Sequence, residues 1–522
     1  MRPGVWRPAV ELSAAEAQIV RRVRRAKLFV MLRQRRHELF DEQFQEELAG
    51  LYGPGVKGQP PVPPARLALA TILQAYTGVS DDEVIEALVM DRRWQLVLDC
   101  LDVQEPPFAK GTLQNFRNRL IGADLDRRLI ERTVELAATP AAGRALRAAL
   151  DSSPLWGVGR VEDTLNLMGH ALRKALGVIA VQQGWGLAEG TAGGIGVLAG
   201  QAGAPVLAGS SLKAALDLDW DDPAARDHAL ATVLGALEAV AGFVAAQPQP
   251  APAAVAAVAV ARQVRDQDVD TDAGTLRRGV AKDRRISVED PDMRHGRKSR
   301  SRLFDGYKRH VLRDLDTGLI AAVGITPANV PEATVTDAIT ADLAAADTTL
   351  AELHIDRAYL PSTLVRDRGD TLAIFCKAWR VRNSNGRYTK TDFRLDFDRG
   401  QLTCPNQATI PFTPGKTVTF PKATCAACPL RSRCTTSSSG RSIAVHPDEA
   451  LLAELRERQA TPAGRAQLRE RVAVEHALAH IGHWQGHRAR YRGTRKNLFD
   501  LRRTAVVHNL HIIARQPDQT AA

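Results

Sequence analysis

The chain has 522 residues, with 70 Lys plus Arg against 59 Asp plus Glu, a net charge of +11 and six cysteines. That length holds more than one hydrophobic core, and the positive balance favours a polyanionic partner. Six cysteines in so long a chain, four of them clustered, exclude a small disulfide framework. The amino terminus lacks the apolar core of a secretory signal, and the longest uncharged stretch, about residues 190–212, is too interrupted by glycine to read as a membrane span. A cytoplasmic protein without a membrane partner is the expectation.

Residues 12–50 are helical in pattern: Leu28, Phe29, Leu32, Leu39, Phe40, Phe44 and Leu48 recur near the 3.6-residue period. A Pro/Gly-rich break at residues 53–64 is followed by a helix over 64–76. Another helix is expected after Ser80, an N-cap candidate followed by Asp81, Asp82 and Glu83. Thr112 is expected to cap a further helix whose exposed face carries Arg117 and Arg119. Near residue 145 the pattern changes. A short apolar run over 145–150 reads as a strand ending in Asp151, and Asp163-Thr164 begins a helix. Residues 165–245 are rich in Ala and Leu and helical, broken at Asp219–Pro223. A linker-like segment over 247–252 closes this block, which carries no evident chemistry.

Strand signals return after residue 290. The stretch from Arg294 to Arg302 is basic. Residues 308–312 and 319–325, joined by Asp314-Leu-Asp-Thr-Gly318, predict a β-hairpin. A helix over 331–345 follows. The apolar run before Asp356 then places that carboxylate at the end of a strand, with a Pro-started helix from Pro361 and another strand over 371–376. Residues 392–445 are turn-rich and hold the cysteines. Residues 447–484 are helical and contain Glu475, residues 506–513 form a last apolar helical run, and the tail after Arg515 reads as disordered. Strands around a carboxylate, followed by helices, predict an α/β layer.

Asp151, Asp356 and Glu475 are the candidate catalytic residues. Three carboxylates in one cleft repel one another, and a hard divalent cation such as Mg2+ or Mn2+ removes that penalty. Two such ions stabilise the attacking and leaving oxygens of an in-line phosphoryl transfer. Arg471, one helical turn before Glu475, is placed to orient that carboxylate or to touch a phosphate. After Glu475 comes a basic run with aromatics: His483, Trp484, His487, Arg488, Arg490, Tyr491, Arg492, Arg495 and Lys496. Arg297, Lys298, Arg300, Lys308, Arg471, Arg488, Arg490 and Arg492 are the candidate DNA-binding residues.

Cys404, Cys425, Cys428 and Cys434 follow the pattern Cys-x20-Cys-x2-Cys-x5-Cys. Four thiolates with one Cys-x2-Cys pair suit a structural Zn2+. An iron–sulfur cluster uses the same four ligands, and the alternative stays open at this stage. Cys100 and Cys376 read as buried core residues.

Three blocks resemble the DDE transposases of bacterial insertion sequences. The first is Leu150-Asp-Ser-Ser-Pro-Leu155 with Val161-Glu-Asp-Thr164. The second runs from Arg294-His-Gly-Arg-Lys-Ser-Arg300 through Phe304-Asp-Gly-Tyr-Lys308 and Thr326-Pro-Ala-Asn-Val-Pro331 to Ile355-Asp-Arg-Ala-Tyr359. The third holds Val474-Glu-His-Ala-Leu478, Tyr491-Arg-Gly493 and His508-Asn-Leu510. Residues 64–120 resemble the helical amino-terminal domain of such proteins. The resemblance implies an α/β fold with an RNase H-like core, a mixed sheet flanked by helices. It divides the chain into an all-α DNA-binding and assembly domain (1–144), a catalytic core (145–164, 280–380 and 447–515), a helical insertion with linker (165–279) and a Cys-rich insertion (385–446). Asp151 and Asp356 match the family's two catalytic aspartates and Glu475 its glutamate, all three as Mg2+ ligands.

The implied activity is metal-dependent cleavage at element ends and strand transfer into target DNA. The implied partners are double-stranded DNA, at terminal inverted repeats and target, and a second copy as a homodimer on DNA. The chain would then be nucleoid-associated when bound. The family often has a Tyr three residues before the Arg and a basic residue seven after the Glu; here those positions are Leu468 and Gly482. That departure keeps two alternatives in view: a catalytically inactive DNA-binding relative, and an RNase H-like nuclease without strand transfer.

Overall fold

The computed structural model describes residues 2–54, 60–137, 145–185, 190–379, 381 and 386–515. The tail after Arg515, expected to be disordered, lies outside the described residues. The periodic stretch at the start divides into the helices Ala14–Arg22, Lys27–Leu39 (α1) and Glu42–Ala49. Ser13 and Asp41 decide the division: each accepts a backbone N–H from the first turn that it caps. Pro64–Thr77 (α2) ends at Gly78, whose φ of 76° is left-handed. Asp81–Met90 (α3) starts with the expected Ser80/Glu83 capping box.

Lys110–Gly122 (α4) is capped differently from expectation. Ala109 is its N-cap and Thr112 lies inside the helix. Arg117 is also not exposed. It is buried at 6 % exposure, donating to Asp81 at 2.5 and 2.6 Å and to Gln74 at 3.0 Å. The α3 start and α4 meet there, so the guanidinium is matched on the spot. Arg117 holds the Asp81 carboxyl well below its usual range, against the opposing pull of burial. Arg119 lies over the Tyr52 ring, 4.4 Å from its centroid.

The main sheet has six strands: Leu146–Trp156 (β1), Arg294–Arg297 (β2), Leu303–Asp314 (β3), Ile320–Pro327 (β4), Leu350–His354 (β5) and Ala373–Phe375 (β6). β1 is central. It pairs antiparallel with β3 on one side and parallel with β5 on the other, and β5 pairs parallel with β6. Both β2 and β4 pair with the far edge of β3. The predicted hairpin is β3–β4, turning at Gly318 with φ 82°. β1 runs past its expected end, so Asp151 sits mid-strand opposite Val311. The expected Pro-started helix after Asp356 is instead a 3-10 turn, Arg357–Tyr359, and a short helix, Thr363–Arg366, capped by Ser362.

Thr164–Gln182 (α5), Pro223–Ala245 (α6) and Pro252–Asp268 (α7) lie between β1 and β2 and share a core of their own. Asp163 and Asp222 cap α5 and α6. The stretch near 190–212 is packed as the helix Gly190–Gln201 and shorter turns. α6 is long and apolar enough to cross a membrane by length and composition, with 44 % of its most apolar window buried against its neighbours.

Thr336–Ala345 (α8) covers one face of the sheet. Val472–Gln485 (α9) and Thr494–Ile513 (α10) lie on the other, in one continuous core with the amino-terminal helices. Asn509 of α10 exchanges hydrogen bonds with the backbone of Ile320, so the edge strand β4 is tied off by a side-chain amide.

His310 on β3 is fully buried, bonded to the Tyr359 hydroxyl at 2.9 Å and to Thr326 at 3.0 Å. Burial brings its pKa down to about 3, and those of His508 and His511 down to about 4. The unfolded chain protonates these rings near 6.5. Their contribution to stability is therefore complete above that pH and is lost as pH falls from about 6.5 toward 3. Melting curves between about pH 7 and 4 are expected to show a falling Tm, with a smaller fall in H508N/H511N; an equal fall in the variant would assign the effect to other groups.

Candidate carboxylate site and basic cleft

β1 and β5 run parallel, but their pairing stops at Ala149 and His354. Beyond that point the edge of β1 is open, and a crevice forms at the carboxyl ends of the two strands. Asp151 lies on β1 just past the last paired residue. Asp356 lies two residues past β5, accepting the Ala358 N–H at 2.8 Å as the N-cap of its 3-10 turn. Glu475 stands in the first turn of α9, which packs on β1 and β3. The three carboxylates line one cleft of about 860 Å³. The same walls carry Trp156, Phe304, Arg297, Lys298, Arg302, Lys308, Arg309, Arg471, His483 and His487.

Arg471 bridges the carboxylates. Its Nη1 donates to Asp151 Oδ2, and its Nη2 donates to Glu475 Oε1 at 3.0 Å. The Asp151 side chain is 15 % exposed, whereas Glu475 is 52 % exposed. Burial raises the Asp151 pKa, and the like charge of Asp356 adds to that; Arg471 and the Ser152 N–H oppose it. Below them Tyr359 is pushed well above its usual value by burial and by the Asp151 charge. Burial and the Asp356 charge push the Cys376 thiol up to about 12. These shifts record one fact: negative charge is concentrated where water is scarce.

Oxygen donors of this kind suit a hard divalent cation. The Arg471 guanidinium is a cation already standing between two of them. Among the described residues no three His, Cys, Asp or Glu side chains are drawn together closely enough to hold a metal. An ion entering here would meet Arg471 first.

The candidate DNA-binding residues divide. Arg297, Lys298, Lys308 and Arg471 line the cleft. Lys308 is buried, donates to Val330 O at 2.8 Å and pairs with Glu332 at 3.0 Å, so its charge is already matched. Arg300 is exposed in the β2–β3 turn, beyond the cleft wall. Arg488, Arg490 and Arg492 do not line the cleft either. They donate to Gly157 O, to Val79 O and to Glu289 respectively. The α9–α10 connection is fastened to the end of β1 through Trp156, which turns these arginines toward other surfaces.

Arg302 closes the basic stretch expected along a DNA path and lines the cleft, whereas sequence reasoning missed Arg309 and Trp156 as cleft residues. Arg309 is buried and donates to Ser153 Oγ, Gln485 Oε1 and Gly486 O. Its Nη2 lies 3.2 Å from where a Cβ on Gly482 would stand. The available signal was the pairing of β1 with β3, which sets Ser153 opposite Arg309.

Cys404, Cys425, Cys428 and Cys434 line a second, small cavity of about 30 Å³, with no disulfide among them. Cys404 begins a tight turn, its carbonyl accepting the Gln407 N–H at 2.9 Å. Burial raises the Cys434 pKa, and the charges of the other three thiols add to that. Cys100 and Cys376 are buried, as expected.

Two family models match the chain: a Transposase DDE domain over residues 403–514 and a Transposase domain (DUF772) over residues 24–119. Both matches support an insertion-sequence DDE transposase family. The first match contains the cysteine group, Arg471 and Glu475; the second spans α1 to most of α4. Asp151 and Asp356 fall outside both matches. No curated protein and no solved structure matches the chain.

The bridge by Arg471 gives a measurable consequence. R471Q leaves Asp151 buried beside Asp356 with no counter-charge, and a loss of about 1–2 kcal/mol is expected near neutral pH, between the values for exposed and buried pairs. Millimolar Mg2+ should raise the Tm of R471Q more than that of the parent protein. An equal response in calorimetry would show that the guanidinium and the ion do not compete.

Proposed function

We propose that the cleft is the active site of a DDE transposase, a metal-dependent polynucleotidyl transferase that cuts DNA at element ends and joins the freed end to target DNA. The observation that carries this reading is the convergence of Asp151, Asp356 and Glu475 on one cleft with unpaired cations in its walls. The placement supports an RNase H-like core: the first acid on a central strand, the second beyond the adjacent parallel strand, the third on a helix packed across the central strand and its antiparallel neighbour β3. In this reading the helices up to residue 137 are the DNA-binding and assembly part, sharing a continuous core with α9 and α10.

Bound at these carboxylates, Mg2+ or Mn2+ would supply Lewis-acid activation of the attacking oxygen and neutralise charge on the leaving oxygen. The side chains supply the rest. Arg297, Lys298 and Arg302 hold the phosphodiester backbone against the cleft. Arg309, fixed by three neutral acceptors, presents positive charge from the floor without flexing. Hydrolysis at the element end frees a 3′-hydroxyl, and that hydroxyl displaces an oxygen at a target phosphodiester in a second in-line step. No covalent protein–DNA bond is required. A dimer bridging two DNA ends follows from the same reading.

A non-catalytic relative is the second reading, motivated by Leu468 and Gly482. Arg309 weighs against it, because its guanidinium occupies the space beside Gly482 and restores positive charge at that point. D151N, D356N and E475Q are each expected to abolish Mg2+-dependent cleavage and strand transfer on a plasmid carrying the element's own ends. Filter binding to the same DNA should stay within about threefold of the parent, since the phosphate contacts remain. Cleavage retained by any one variant removes that residue from the site.

We also propose a structural Zn2+ at the four cysteines. Four facing thiols with one Cys-x2-Cys pair suit tetrahedral zinc, which would draw them inward from their present spacing. Elemental analysis should find about one zinc per chain, lost in C425S/C428S together with a lowered Tm. Protein free of both zinc and iron would end this assignment.

A further inference from the structure

A second cleft, about 530 Å³ in volume, lies on the other side of Asp356. Asp356 and Arg471 belong to the walls of both clefts. The second is built from the turn after β5, the end of β6, the helices Glu449–Ala460 and Pro462–Glu470, and the start of α9. Its charged lining is one-sided. Arg357, Lys377, Arg465, Arg469 and Arg471 face it, against Asp356 alone.

The first four of these cations form no ion pair among the described residues. Arg465 is held only by the carbonyls of Gln459 and Ala460. Nearby arginines outside the groove behave differently. Arg147 pairs with Asp316, Glu352 and Glu470, Arg368 with Asp448, and Arg458 with Glu454. The groove therefore gathers four cations with no ion pair among the described residues. Ile355, Leu468 and Val472 give it an apolar floor.

We infer that this groove binds the phosphodiester backbone of the DNA strand as it continues past the carboxylates. The inference rests on the active-site reading above. A strand cut in mid-chain has nucleotides on both sides of the scissile phosphate, and the first cleft accounts for one side only. The partition made by Asp356 and Arg471 stands where the two halves meet. Four unmatched cations suit successive phosphates, and an apolar floor suits the sugar faces between them.

The test is binding without chemistry. Fluorescence anisotropy of a labelled duplex of about 40 base pairs, and of a single strand of about 20 nucleotides, is followed across a salt series in EDTA. K377Q/R465Q/R469Q should weaken binding by at least about tenfold near 0.15 M salt, and should reduce the slope of log K against log salt by about 2–3, the value for three lost phosphate contacts. K377R/R465K/R469K, which keeps the charges, should bind like the parent. R297Q/K298Q/R302Q in the first cleft is the control. If it weakens binding while K377Q/R465Q/R469Q keeps the parent's affinity and slope, the groove inference is overturned and the active-site reading stands. If neither variant weakens binding, both fall. If millimolar pyrophosphate binds the parent in a way that K377Q/R465Q/R469Q abolishes, with DNA affinity unchanged, the groove is a small-phosphate site and the inference is again overturned.

Discussion

Placing a carboxylate on the central strand of a sheet, next to a second one, is costly unless a positive charge stands with them. Asp151 is the group under that constraint, and Arg471 answers it. The guanidinium joins the start of α9 to the middle of β1 and carries Glu475 along at helical spacing. β5 ends early and leaves the crevice open. α9 lies across β1 and β3 and closes one wall. The clefts meet at this point because the partition between them is the Asp356–Arg471 pair of walls.

Rigidity and exposure are divided between two layers of the site. Below the carboxylates, Tyr359, His310 and Thr326 form a buried hydrogen-bonded chain under β1 and β3. Neutral His310 fits that chain because both ring nitrogens are partnered by hydroxyls. Above them, Glu475 is half exposed and Arg471 reaches from a helix end. The fixed layer sets where the acids stand.

Arginine does two separate jobs in this chain. In the amino-terminal helices and α10 it is a buried partner: Arg33 with Glu16, Arg117 with Asp81, Arg502 with Asp124 and Asp342. In the two clefts Arg471 is paired with Asp151 and Glu475, while Arg297, Arg302, Arg357, Arg465 and Arg469 form no ion pair among the described residues. Part of the positive charge of the chain therefore stands in the grooves flanking one cluster of acids, where a polyanion threaded through the clefts would meet it.

Much of this was written in local sequence. The capping box at Ser80, the Asp163 and Asp222 caps, the β3–β4 hairpin with its Gly318 turn, and the helix carrying Arg471 and Glu475 follow from contacts within a few residues. The i,i+4 pair of Arg471 and Glu475 was legible for the same reason. What the tertiary structure alone decided involves long-range pairing. Asp151 was expected at a strand end and sits mid-strand, because β3 continues alongside it. Arg117 was expected in solvent and is buried, because Asp81 on another helix meets it. Arg488, Arg490 and Arg492 were expected on DNA and stand outside the carboxylate cleft, because their connection is fastened to Trp156. Arg309, Arg465 and Arg469 had no local signature. A charge is defined by its neighbours, and the partners of Arg309, Ser153 and Gln485, lie 156 and 176 residues away in the chain.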